Sequence, residues 1–280
     1  MKRISESSAR RFLLWFFDAP RNDPYVSLTF DVNVEPALGF LDAFKREHGE
    51  QQRIGLQHLM TKAVARCLGQ VAPLNVKVFG RRIYQLDRVD IAMPVHLGAA
   101  DSSGHDETGV LILRDADKKS LLEIARETRS SARAERSGAA SAGGSATLRR
   151  WARHIPRGVM YAGLEVTRTL LQHPLTYGLL EGRLGASSAV TNVGAVFSLP
   201  AGARFRAGSA SLPAKAGHFA SVFGVAPIER AAVIEDGAIV SRKVLPVMMM
   251  VDHRAIDGVL MARAGAAVAA ALLDPTSLTH

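Results

Sequence analysis

The chain has 280 residues, 48% hydrophobic and 22% charged, an ordinary globular composition with enough apolar content for one large core. Thirty-five Lys and Arg against 26 Asp and Glu leave a formal charge of +9, but aromatics make up only 6%, too few for a base-stacking nucleic-acid platform. No apolar run approaches the roughly 20 residues of a membrane span, and the lone Cys67 excludes an internal disulfide and offers no cysteine metal spacing, so no metal site is expected.

The N-terminal MKRISESSARRFLLWFF is basic with a short apolar patch, and it lacks the longer apolar region and cleavage site of a secretory signal. A soluble, cytoplasmic protein is expected. Val26, Leu28, Phe30 and Val32 alternate with polar residues, predicting a half-buried strand over 24–34. Residues 36–48 predict a helix stopped by Gly49, and 56–68 a second one, in which Leu59, Met60, Ala63, Val64 and Cys67 share a buried face before Pro73 closes the region. NVKVFGRRIYQLDRVDIAMPVHL predicts a hairpin turning near 80–82, with its second strand running on through Ile91 and Val95.

The polar segment 98–109 predicts a loop, VLILRDAD a strand, and KKSLLEIARETRSSARAER a helix. Asp117 or Ser120 is placed to cap that helix, with Glu123 completing a capping box on Ser120. SGAASAGGSA follows as a low-complexity hinge, and a basic, apolar helical pair punctuated by Pro156 and Pro174 occupies the next stretch. The positive surplus gathers between about residues 126 and 183. Short strands return in ASSAVTNVGAVFSL and from HFASVFG to MMMV, with Glu235-Asp236-Gly237 as a hairpin turn. Between them, AGARFRAGSASLPAKAGHF reads as a mobile lid or a surface loop. An alanine-rich helix ends the chain at Asp274-Pro275. There is no internal repeat, GxGxxG or Walker loop, which counts against nucleotide-binding folds.

The chemistry concentrates in MMMVDHRAIDGVL, where an apolar strand empties into Asp252, His253 and Arg254, followed by Asp257 and Gly258. An imidazole titrates near neutrality and serves as a general base when a partner fixes its tautomer, and a carboxylate four residues on is a candidate partner. The same spacing also fits a histidine and aspartate that cap the terminal helix and pair with Arg254. Taken alone, Thr191 is a polar residue at a strand end.

Set in order, LTFDVNV, TKAVARCLGQVAPLN, RRIYQLDRVDIAMPV, LILRDADKKSLLEIARE, VTNVGAVF and VIEDGAIVSRKVLPVMMMVDHRAIDG resemble the catalytic domain of the dihydrolipoamide acyltransferases of 2-oxo acid dehydrogenase complexes, over about residues 20–275. The resemblance implies an α/β fold (α+β, two-layer) like that of chloramphenicol acetyltransferase: a large mixed sheet flanked by helices, forming homotrimers with active sites between subunits. It implies acyl transfer between thiols, with coenzyme A or acyl-CoA as substrate and a dihydrolipoyl-like group as the other thiol. His253 would be the general base and Thr191, before Asn192, the hydroxyl that hydrogen-bonds the oxyanion. Asp257, with Gly258 beside it, would hold local geometry through Arg10 or Arg11.

The resemblance is to stand-alone bacterial relatives. Residues 1–20 are expected to form an N-terminal arm and 21–280 the catalytic domain, with a helical insertion at about 144–182. No lysine stands in a lipoyl-domain context, so no covalent lipoyl group is expected, and the swinging arm would come from a separate lipoyl-domain protein. Partners are then an acyl thioester and further copies of the chain, trimeric or larger, with no nucleic acid and no transmembrane segment. Two other readings stay open: a non-catalytic trimeric scaffold, and a peripheral membrane or polyanion binder using the arginines of 126–183.

Overall fold

The computed structural model describes residues 24–49, 52–79, 82–99, 106–136, 155–172, 185–195 and 219–279, together with 176, 200 and 203. Strand β1 (Tyr25–Asn33) follows the predicted alternation at Leu28, Phe30 and Val32, although Val26 is exposed. Helix α1 (Glu35–His48) stops where Gly49 takes φ 77°, a left-handed conformation in which its amide still reaches the Lys45 carbonyl at 2.9 Å. Helix α2 (Leu56–Gln70) buries the predicted face, Cys67 included. Burial pushes the Cys67 thiol up to about 11, so it is an inert core group.

Strands β2 (Val76–Phe79) and β3 (Arg82–Gln85) form a separate two-stranded sheet. The predicted continuous strand from this hairpin through Ile91 and Val95 is therefore broken, and buried polar groups explain the break. The Asn75 amide donates to the carbonyls of Leu86 and Arg88, both at 3.0 Å, which bends the chain back on itself. Asp90, 2% exposed, then accepts from Arg88, Arg114 and the Asp115 amide.

Beyond that bend, β4 (Ile91–Ala99) enters the main sheet and pairs antiparallel with β5 (Asp106–Leu113) as far as Ala99 opposite Asp106. Much of the predicted 98–109 loop is thus strand. Backbone pairing at a sheet edge tolerates polar side chains, so their presence did not exclude a strand there.

Helix α3 (Leu121–Arg136) begins three residues later than predicted, after a turn in which Asp115 has φ 45°. The expected capping box is present: the Ser120 amide donates to Glu123 at 2.8 Å and the Glu123 amide to Ser120 Oγ at 3.3 Å. Helix α4 (Arg157–Gln172) starts directly after Pro156. The predicted hinge, most of the segment 201–219, and the stretch around Pro174 lie outside the described residues, as do Arg10 and Arg11.

The remaining elements are β6 (Ser188–Asn192), β7 (Ser221–Val225), β8 (Glu229–Glu235), β9 (Ala238–Asp252) and α5 (Gly258–Leu273). The β8–β9 turn has Asp236 at φ 50° and Gly237 at φ 79°, the paired left-handed residues that the Asp-Gly dipeptide favours. The main sheet runs β1-β9-β7-β6-β4-β5, with β8 on the first half of β9; β6 is parallel to both neighbours and the other pairs are antiparallel.

This is the expected mixed sheet flanked by helices. Helices α1, α2, α3 and α5 bury one face of it around Val190, Phe223, Met249 and Val251. The opposite face carries a smaller cluster, Ala92, Ala189, Val222 and Met250 among it, to which no helix residue contributes among the described residues.

Candidate active site

Strand β9 runs 15 residues and ends at Asp252, whose side chain is fully buried. A carboxylate there needs partners, and Arg254 supplies them: Nε donates at 2.9 and 3.2 Å, Nη2 at 2.6 Å and the backbone amide at 3.0 Å. The amides of Ala255 and Ile256 both reach the Asp252 carbonyl, closing a tight turn, while the His253 amide donates to Pro24 at the start of β1. This turn holds the exposed His253 in place.

The imidazole has its own tether. His253 Nδ1 lies 3.0 Å from the Ile256 carbonyl, and Ile256 is fully buried in the core. A carbonyl only accepts, so in the neutral ring Nδ1 carries the proton and Nε2 presents its lone pair. That arrangement suits a general base. The tautomer is thus set by a backbone carbonyl rather than by the carboxylate at Asp257.

Asp257 instead occupies the N-cap of α5, with Oδ1 accepting from the Leu260 amide at 2.8 Å. Gly258 opens the helix, and a side chain there would meet nothing within 4 Å.

Thr191 sits at the opposite end of the sheet. It is level with Gly224 on β7, which is level with Met248 on β9. From Met248, five residues along the strand lead to His253, about 16 Å, and two strand spacings add about 10 Å across, for a separation of about 19 Å. One chain therefore does not bring His253 and Thr191 together. Thr191 and Asn192 are both half-buried, and the Thr191 hydroxyl has no hydrogen-bond partner among the described residues.

The turn after Asn192 is fixed by close packing. A Cβ at Gly194 would lie 2.8 Å from the Ala226 carbonyl oxygen and the Pro227 nitrogen. Sequence reasoning passed over Gly194 and Ile256, and named Asp252 without giving it a role. A carboxylate directly after four apolar strand residues was a usable signal for Asp252; nothing in the sequence marks a backbone carbonyl as the partner of His253. Among the described residues there is no group of three His, Cys, Asp or Glu positioned for a metal, and no helix long and apolar enough to cross a membrane.

The sequence matches the family of 2-oxoacid dehydrogenases acyltransferase (catalytic domain) over residues 14–145 and 216–280. The dihydrolipoyllysine-residue succinyltransferase component of the 2-oxoglutarate dehydrogenase complex of Bartonella vinsonii subsp. berkhoffii is 22% identical over 263 residues. That alignment takes in 92% of this chain and 49% of that protein, so the chain spans about half the length of the curated relative it matches. The dihydrolipoamide acetyltransferase of Azotobacter vinelandii, studied for the catalytic roles of a serine, a histidine and an asparagine, superposes with a TM-score of 0.72 at 19% identity, covering 99% of this chain and 93% of that one. A probable dihydrolipoamide acetyltransferase from Listeria monocytogenes 4b F2365 gives a TM-score of 0.67 at 21% identity, covering 98% and 95%. With more than half of its residues inside the two matched stretches, the chain belongs to the 2-oxoacid dehydrogenase acyltransferase catalytic-domain family.

Proposed function

We propose that this chain catalyses acyl transfer between thiols, one of them coenzyme A and the other a dihydrolipoyl group or similar small thiol delivered by a separate protein. The observation that carries the proposal is the His253 ring, tied at Nδ1 to the Ile256 carbonyl with Nε2 left as an acceptor on an exposed turn. Nε2 takes the proton from the attacking thiol. The thiolate sulfur bonds to the thioester carbonyl carbon, giving an oxyanion that accepts a hydrogen bond from Thr191 Oγ1. The carbonyl re-forms, the original carbon–sulfur bond breaks, and the departing thiolate takes the proton back from the imidazolium. One such oxyanion donor contributes about 3 kcal/mol to the transition state.

The 19 Å estimate within one chain implies that the thioester sits between copies, with His253 from one and Thr191 from the next. A closed trimer is the assembly we infer, with larger arrangements of trimers compatible with it. Asp257 holds the start of α5 by its cap, and pairing with Arg10 or Arg11 of the N-terminal arm, residues 1–20, would add to that hold. Asn192 and Gly258 support the two ends of the site. The catalytic domain comprises residues 21–280 with a helical insertion at about 144–182, and the protein works in the cytoplasm without a metal.

Spacing adds support: the histidine and asparagine studied in the Azotobacter enzyme are four positions apart, as are His253 and Asp257. The test is thiol release from acetyl-CoA and longer acyl-CoAs with dihydrolipoamide and other small thiols. Turnover lost by orders of magnitude in His253→Ala, with the solution mass unchanged, is the expected result. Equal turnover in the variant would rule out the proposed base.

A further inference from the structure

The first six residues of β9, Ala238 to Lys243, lie beyond the main sheet. β1 leaves β9 with Asn33 opposite Val244, and β7 leaves it with Val225 opposite Val247, so among the described residues the start of β9 pairs only with β8. The result is a two-stranded ribbon about 20 Å long at strand spacing. It projects from the Thr191 end of the sheet: Thr191 is level with Met248, and from there the ribbon runs away from His253.

The base of the ribbon is fixed. The Val34 amide donates to the Lys243 carbonyl at 2.9 Å, and the Lys243 amide donates to Glu35 Oε1 at 3.2 Å. On one face Arg242 Nε donates to both carboxylate oxygens of Glu235, at 3.0 and 3.1 Å, tying the two strands together. The other face is open. Ile234 and Ile239 stand directly opposite each other, 76% and 78% exposed. Ala232 opposite Ser241 and Arg230 opposite Lys243 share that face, and all four are exposed. A ribbon of two strands is marginal in water unless an apolar face is covered. Exposed aliphatic residues also lie between this pair and Thr191. Val193 follows Thr191 by two residues and Ile228 directly precedes β8; they are 41% and 39% exposed. The close packing of Gly194 on Ala226 and Pro227 keeps their two segments side by side.

We propose that the ribbon docks on a second copy of the chain, the one whose His253 completes the site at Thr191, and that Ile234 and Ile239 are buried in that contact. The proposal rests on the shared-site reading above. That reading requires a neighbouring copy at the Thr191 end of the sheet, which is where the ribbon projects, and the same contact repeated head to tail closes a ring. An aliphatic pair bordered by Arg230 and Lys243 has the apolar centre and polar rim of a protein interface.

The experiment is sedimentation velocity of the purified 30.1 kDa chain, run beside the thiol-release assay. Wild type is expected at a multiple of the chain mass. Ile234→Lys combined with Ile239→Glu sets opposite charges across the ribbon, which supports it in a lone chain and opposes its burial. That double variant is expected to sediment as single chains, with association weakened by at least about 100-fold and turnover falling in parallel. Ile83→Lys, at an isoleucine 53% exposed on the separate small sheet, is expected to leave the mass unchanged. If the double variant fails to fold, a photoreactive benzoylphenylalanine replacing Ile239 decides, since illumination should join two chains into a pair that survives denaturation. A double variant that stays assembled, an absence of cross-linked pairs, or equal dissociation in Ile83→Lys overturns the ribbon contact and leaves the acyltransferase reading in place. A wild type that sediments as a single chain overturns the contact and leaves the ribbon to a foreign partner. Assembly that depends on the ribbon, without turnover of any thioester, upholds the contact and removes the acyltransferase reading.

Discussion

Replacing Gly194 by alanine tests how the Thr191 end of the site is held. The added methyl would lie 2.8 Å from the Ala226 oxygen and the Pro227 nitrogen and 2.9 Å from the Ala226 carbonyl carbon. All three are backbone atoms flanking the end of β7, so no side chain can swing aside. Ordinary contact requires the turn at residues 193–195 to lift by at least about 0.5 Å. Overpacking of this kind costs about 1 to 3 kcal/mol, and the upper half of that range is expected here. The same shift displaces Thr191 and Asn192, immediately upstream. Misplacing a catalytic group by about 1 Å costs up to about 100-fold, so a fall in kcat of about tenfold is expected with KM for acyl-CoA little changed. Urea unfolding would supply the stability change and steady-state thiol release the kinetics. A variant within about 0.5 kcal/mol and twofold of wild type would refute the reasoning.

Two further outcomes follow from buried polar groups. Arg254→Ala strips the bidentate partner from the fully buried Asp252; because the guanidinium is itself about half exposed, the loss should be near 3 kcal/mol, the low end for breaking a buried pair, and a loss below about 1 kcal/mol in denaturant titration would contradict it. His58 accepts the Gly55 amide at 2.9 Å at the start of α2, and burial first, then the charge of Arg129, lowers its pKa from 6.5 to about 4. The unfolded chain therefore binds the proton first as the pH falls. The His58 contribution is complete above pH 6.5 and disappears progressively toward pH 4, by up to about 3 kcal/mol. The difference in unfolding free energy between wild type and His58→Gln should shrink over that window, and a difference independent of pH would exclude the effect.

The features legible in the sequence are those written by neighbours along the chain. Asp236-Gly237 specifies its own turn, Ser120 and Glu123 their own capping box, and Gly49 the end of α1, because each needs only residues a few positions apart. The strand assignments failed where distant residues decide. Asn75 and Asp90 bend the chain between β3 and β4, and β4 pulls β5 into register through a polar segment. The site divides the same way. The motif pointed to His253, but its ring partner is a main-chain oxygen, and the closeness of Gly194 and Gly224 to their neighbours exists only once the strands are aligned.

The central claim, that each reacting centre takes His253 from one copy and Thr191 from another, is most directly tested by subunit mixing. His253→Ala and Thr191→Ala chains would each be purified alone as controls, and the two would also be co-expressed with different tags and isolated as hybrids. Every closed trimer that carries both kinds of chain pairs an intact His253 with an intact Thr191 at one of its three sites, so thiol-transfer activity of the isolated hybrids should recover to about a third of wild type. Hybrids no more active than the separate variants would contradict the account, because they would place both residues in the same chain's site.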